Sequence, residues 1–264
     1  MNILGYISSA FIGISLGLIG GGGSILTVPV LVYLFSIDVV LATSYSLFIV
    51  GFTSAIGSIS YFKNGLVNIK TAILFGIPSI VAVFSTRAYI LPAIPNEVFE
   101  IGDFVVTKGI LLMMLFAVLM VAASYSMIKK NNYDGATVEI SKYNFLFILI
   151  EGLAVGILTG LVGAGGGFLI IPALVVFSKL PMKEAVGTSL VIIAAKSLIG
   201  FFSEGSEVII DWNLLSKVSF FAISGILIGT YLSKKIDGSR LKPAFGWFVM
   251  VMGIYIILKE TILK

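Results

Sequence analysis

Apolar residues run through this chain in long blocks separated by short polar loops, the pattern of helices that face lipid along most of their length. A hydrocarbon core of about 30 Å takes roughly 20 helical residues, and the blocks at 39–61, 70–90, 107–128, 142–161, 185–202, 212–232 and 241–259 approach or reach that length. The N-terminal block, 3–19, is nearly as long. Two others, 24–36 and 168–178, hold only about 12 residues each, roughly 18 Å of helix, so a full crossing would be strained. The opening stretch MNILGYISSAFIGISLG lacks a positive n-region and is predicted to be a structural helix rather than a cleaved leader.

Each short block follows a glycine cluster, and the two clusters are copies. Residues 17–31 read GLIGGGGSILTVPVL and residues 160–174 read GLVGAGGGFLIIPAL; they match at Gly17/Gly160, Gly20/Gly163, Gly22/Gly165, Gly23/Gly166, Leu26/Leu169 and Pro29/Pro172, among others. The chain therefore divides into related halves, 1–128 and 142–264, joined by the polar segment 129–141, KKNNYDGATVEIS. Glycine permits positive φ and close backbone approach, so a helix can stop and restart there. Broken backbone at membrane depth survives only inside protein or beside a water-filled cavity. The rival reading, that the glycines simply let helices pack closely, is weakened by the second copy and the matched prolines.

The basic residues choose between topologies, because Lys and Arg are retained on the cytoplasmic side. If each short block turns back beside its arm as a re-entrant hairpin, one face collects Lys63, Lys70, Lys129, Lys130, Lys142, Lys179, Lys183, Lys234, Lys235, Arg240 and Lys242. The other collects only Arg87, Lys108, Lys259 and Lys264, with the acids Asp38, Glu97, Glu100, Asp103, Glu204, Glu207, Asp211 and Glu260. If every block crosses, the same basic residues divide almost evenly. The expected fold class is thus an all-α polytopic membrane protein with an inverted-topology repeat. Each half is a broken re-entrant helical hairpin plus three transmembrane helices, with 129–141 cytoplasmic and both termini outside.

Composition narrows the chemistry. Of 264 residues 58% are hydrophobic and 11% charged, with mean hydropathy +1.12, well away from a soluble domain. The chain has no Cys and no His, which removes thiol nucleophiles and the softer metal ligands, so no enzyme activity, metal or cofactor is expected. The net charge of +4 sits in short clusters between spans and does not call for a nucleic-acid partner. Gly20–Ser24 is not followed by the lysine of a phosphate-binding loop, so no nucleotide is expected either.

Candidate binding residues follow from the breaks. Helix N-termini at 24–36 and 168–178 would converge on the centre from opposite sides and present free N–H groups to an anion, with Ser24 as a cap. That nominates Gly21, Gly22, Gly23 and Ser24 in the first half, and Gly165, Gly166 and Gly167 in the second. A second repeated element, Ala42-Thr43-Ser44 and Gly187-Thr188-Ser189, places hydroxyls near each hairpin mouth. Thr43, Ser44, Thr188 and Ser189 either bond a ligand oxygen or bond back to a carbonyl one turn earlier.

Two ionisable residues lie inside apolar blocks. Glu151 is about nine residues past Lys142, roughly 13 Å of helix, and Lys196 is eight before Glu204, roughly 12 Å. Both fall near mid-depth, where a charge is costly and function is the first suspicion. Either they pair structurally, or Lys196 serves the anion and Glu151 carries a proton. The first half has Gly51 at the position matching Lys196, so the charge is one-sided. Arg87, at a span end, can snorkel to the interface and serve as a gate. Tyr33, Tyr61, Tyr89, Tyr255, Trp212 and Trp247 are expected to anchor span ends.

On the paired glycine–proline motifs at 17–31 and 160–174 and the elements at 42–44 and 187–189, the chain resembles the TauE/SafE family of membrane transporters, the sulfite exporter family. The resemblance covers nearly the whole chain. It implies about eight predicted transmembrane helices and a substrate path lined by the turns at Gly20–Ser24 and Gly163–Gly167. It also implies transport of sulfite, organosulfonates such as sulfoacetate, or other small organic anions, driven by protons. The expectation is a secondary transporter of the cytoplasmic (inner) membrane working by alternating access, as monomer or homodimer, with the small anion, protons and the lipid bilayer as partners. An anion channel and a structural membrane protein without transport are the alternatives.

Overall fold

A computed structural model describes residues 2–101, 104–128, 142–176, 178, 180–203, 210–233 and 238–261. The expected linker 129–141 lies outside them. So do Asp103, Lys179, Glu204, Glu207, Lys234, Lys235 and Lys264 from the sidedness count.

Helix α1 (Asn2–Ile19) runs into a 3-10 helix (Gly20–Leu26) and then α2 (Thr27–Leu34). Helix α3 (Val39–Lys63) is followed by α4 (Ile69–Ser85), which continues through a π-helical turn (Thr86–Ile90) into α5 (Leu91–Ala93). Strands β1 (Glu97–Ile101) and β2 (Phe104–Thr107) precede α6 (Lys108–Ile128). The remaining helices are α7 (Lys142–Val162), α8 (Gly167–Val176), α9 (Met182–Phe202), α10 (Trp212–Leu232) and α11 (Gly238–Thr261).

Among the described residues five helices are long and apolar enough to span a bilayer: Val39–Lys63, Ile69–Ala93, Lys108–Tyr125, Met182–Phe202 and Trp212–Leu232. Ile3–Ile19, Gly23–Leu34 and Leu146–Val162 are shorter apolar helices. This is a polytopic helical membrane fold.

One element departs from the all-α expectation. Strands β1 and β2 pair antiparallel, Glu97 opposite Thr107, with an irregularity between Glu97 and Phe99. Val98, Phe99 and Ile101 stand before Gly102-Asp103, and Phe104, Val105 and Val106 after it. That is a hairpin signal which a reading by apolar blocks passes over.

Polar caps start three of the crossings. The Asp38 carboxylate accepts from the Val40 and Leu41 amides, Asn68 Oδ1 from Thr71 N, and the Asp211 carboxylate from Asn213 and Leu214 N. Each satisfies helix-end donors that would otherwise be left open.

Small residues set the packing. Gly13 and Gly17 of α1 press on the α10 backbone at Ala222 and at Gly229–Thr230, and Gly225 of α10 presses back on Ala10. The second half repeats the arrangement: Gly152, Gly156 and Gly160 of α7 meet Phe75, Ser79 and Thr86 along α4 and its π turn. A side chain at most of these positions would overlap the neighbouring helix, so the contact is backbone to backbone at Gly13, Gly17, Gly225 and Gly152, while Gly156 also meets the Ala82 side chain and Gly160 the Thr86 side chain. Helices α3 and α9 lie against one another in the middle, and α6 packs along α11.

The short helix α2 returns beside α1. The Phe35 ring lies on Gly5 and 5.5 Å from the Tyr6 ring, while Gly23 lies against the backbone of Ile12, Ser15 and Leu16.

Candidate functional site

The two glycine turns meet. Gly21 and Gly167 are in direct backbone contact, and a Cβ on either would overlap the other's Cα. Positive φ occurs at Gly20 (72°), Gly163 (71°), Gly165 (64°) and Gly166 (69°), a backbone other residues adopt at a cost of about 1–2 kcal/mol. These glycines break the helices, whereas Gly13, Gly17, Gly152, Gly156 and Gly160 permit close packing. Both readings of the glycines therefore apply, at different positions.

The breaks start earlier and later than expected. In the first half, Gly21, Gly22, Gly23 and Ser24 lie within the 3-10 helix, and regular helix begins at Thr27 rather than 24. Ser24 does not cap it: its Oγ donates to the Gly21 carbonyl at 2.6 Å. A run of four glycines tolerates the tight 3-10 turn that leads into α2. In the second half α8 begins at Gly167, with the Gly166 carbonyl accepting from Leu169 and Ile170 N.

Cationic and hydroxyl groups surround the second turn. The Lys196 ammonium is buried, donates to Thr159 Oγ1 at 3.0 Å, and sits 2.7 Å from where a Cβ on Gly166 would lie. It is therefore held at the start of α8, where the first amides lack intrahelical acceptors and the helix end is partially positive. Ser197 Oγ, 3.3 Å from a Cβ placed on Gly165, is buried with no hydrogen-bond partner among the described residues. Thr43 packs on Gly163 and Thr86 on Gly160. Arg87 lies beside them, 1% exposed, and its Nη1 donates to Ser44 Oγ at 3.4 Å.

The first turn is surrounded differently. Gly20 meets Ile171, Val186 and Ser189. Tyr61 Oη donates to the Gly17 carbonyl at 3.1 Å and has Ser233 Oγ at 3.3 Å, and Thr188 Oγ1 accepts from Asn68 N at 2.9 Å. Gly51, the counterpart of Lys196, packs on Leu198.

Several expectations need correction. Among the described residues Glu151 and Lys196 form no ion pair; Lys196 takes Thr159, eight residues further along α7, or about 12 Å of rise. Glu151 stands apart from the turns, half-buried. Arg87 does not snorkel, because the π turn carries it inward beneath α3. Tyr61 is no interfacial anchor: it is buried and bonds the end of α1, whereas Tyr89, Trp212 and Trp247 are exposed as anchors would be. Of the two roles open to the repeated hydroxyls, three of the four show the bond back to their own helix. Thr43 and Ser44 donate to the Val40 carbonyl and Ser189 to that of Val186.

Spanning helices and paired breaks that meet inside the bundle define a polytopic helical membrane protein. The chain belongs to the sulfite exporter TauE/SafE family, whose model it matches over residues 6–256. It is 29% identical to a "Probable membrane transporter protein" of Xylella fastidiosa (strain 9a5c) over 95% of this chain and 92% of the relative. Relatives of the same description in Bacillus subtilis (strain 168), 28% identical, and Methanocaldococcus jannaschii, 29%, are covered over 96% and 94% of their lengths. They match 93% and 97% of this chain. No solved structure matches. The family is one of membrane transporters, not enzymes.

Proposed function

We propose that this chain is a secondary transporter of small anions and that the anion sits at the second glycine turn, between Lys196, Ser197 and the amides that open α8. The observation that carries this reading is the Lys196 ammonium. It is buried at the positive end of a helix, and its partner among the described residues is a neutral hydroxyl, Thr159. A buried cation in that position is costly without an anion, and the adjoining Ser197 hydroxyl has a hydrogen bond to give. Sulfite, an organosulfonate such as sulfoacetate, or a small carboxylate fits these donors.

The halves 1–128 and 142–264 are read as inverted repeats with both termini outside. This is supported by the Gly21–Gly167 contact and by the way α1 packs on α10 as α7 packs on α4. Alternating access then moves the two halves against one another around the turns, with Glu151 as the candidate proton carrier. The test is uptake of sulfite, sulfonates and carboxylates into proteoliposomes with and without the same anion inside. A carrier gives saturable uptake stimulated by internal anion and accelerated by an imposed proton gradient. Unsaturable flux indifferent to internal anion is the behaviour of a channel and would overturn the proposal.

A further inference from the structure

Helix α2 is only eight residues long, and beside it α1 and α11 part to leave a groove of about 430 Å³. Its walls are almost wholly apolar, among them Ile7, Phe11, Pro29, Val30, Met252 and Tyr255. Ile7 is 62% exposed, Phe11 54% and Tyr255 46%, so the groove opens on the outer surface of the helix bundle. In a chain that spans a membrane that surface faces lipid. A groove this poor in polar groups holds no water, and the apolar matter at hand is an acyl chain.

One end of the groove is charged. Tyr33 and Tyr255 meet edge to face there, their ring centroids 6.2 Å apart. Lys259 stands one turn past Tyr255 on α11, with its Nζ 3.7 Å from the centroid of the Tyr33 ring. Tyr33 Oη donates to Glu260 Oε1 at 3.1 Å, and that residue is only 5% exposed. The carboxylate is thus turned inward onto the tyrosine, while Lys259 is half-exposed, its ammonium over the Tyr33 ring that lines this end of the groove. A lysine on an aromatic platform at the end of an apolar slot complements a phosphate whose chain lies in the slot.

We propose that this groove binds one anionic phospholipid, an acyl chain between α1, α2 and α11 and its phosphate on Lys259. The site uses none of the residues assigned to the anion, so either proposal can fail without the other. The experiment is native mass spectrometry of the full-length protein released from detergent with phosphatidylglycerol or phosphatidylcholine of matched chain length. One phosphatidylglycerol should be retained per chain in preference to phosphatidylcholine. Lys259→Gln, a change at a half-exposed position, should lower phosphatidylglycerol retention about fivefold, toward the zwitterionic level. Val30→Trp, which fills the groove, should reduce retention of both lipids. Unchanged phosphatidylglycerol retention in Lys259→Gln would overturn the phosphate contact, and equal retention by folded Val30→Trp would overturn the groove as the site.

Discussion

The two glycine turns have matching sequences but different neighbours. Around Gly20–Ser24 the polar groups are neutral: Tyr61 on the Gly17 carbonyl, Thr188 on the Asn68 amide, and Ser189 bonded back to its own helix. Around Gly163–Gly167 they include two buried cations, Lys196 and Arg87, whereas each turn has a nearby buried hydroxyl with no partner among the described residues, Thr27 at the first and Ser197 at the second. The backbone break is shared, and the charge gathers around one turn only, Lys196 from the second half and Arg87 from the first. A duplicated scaffold thus holds its two breaks against one another at Gly21 and Gly167, and the proposed reading commits only the second to a ligand.

The backbone gives the largest effect expected from this difference. A Cβ on Gly163 would overlap Thr43, including its carbonyl, whereas one on Gly20 would meet the ends of Ile171, Val186 and Ser189 side chains at 3.0–3.2 Å. Both glycines have positive φ, so Gly20→Ala should cost about 1–2 kcal/mol, and Gly163→Ala that plus about 1–3 kcal/mol for the clash. Thermal unfolding of the two purified variants, with the amount of folded protein in the membrane, checks the order. Equal losses would mean that the turns are equally crowded.

Transport should separate the turns next. Lys196→Gln removes the charge and is expected to cost about 2 kcal/mol or more of anion affinity, roughly thirtyfold or greater in half-saturating concentration. Tyr61→Phe removes a neutral hydrogen bond at the other turn, worth about 1 kcal/mol, and should leave that concentration within about fivefold. Proteoliposome uptake at matched protein content reads both, and similar effects from the two substitutions would erase the asymmetry. The smallest effect on transport belongs to Thr188→Ala. It leaves the Asn68 amide without its acceptor and should lower stability by about 1–3 kcal/mol while the surviving protein transports normally.

Five of the spans, the paired breaks and the interior position of Lys196 are legible in the sequence, because length, repetition and a charge in an apolar run are local properties. Ser24, Tyr61, Thr159, Ser197 and Arg87 are not. Their roles depend on how each helix is rotated against its neighbours, and helices that are apolar on every side carry no stripe from which to read that rotation. The rotation is set here by glycines such as Gly13 on Ala222 and Gly156 on Ser79, whose partners lie far along the chain. The Glu151–Lys196 pair failed for the same reason: similar depth does not place two side chains on facing sides of their helices. The strands at 97–101 and 104–107 escape a reading by apolar blocks because their apolar residues merge into the neighbouring block.

Equilibrium binding of a transported anion to the purified protein tests the asymmetric site most directly. The account predicts one anion per chain, bound within about fivefold of the unsubstituted protein by Tyr61→Phe and about thirtyfold or more weaker in folded Lys196→Gln. Two equivalent anions per chain, or undiminished binding by Lys196→Gln, would contradict it.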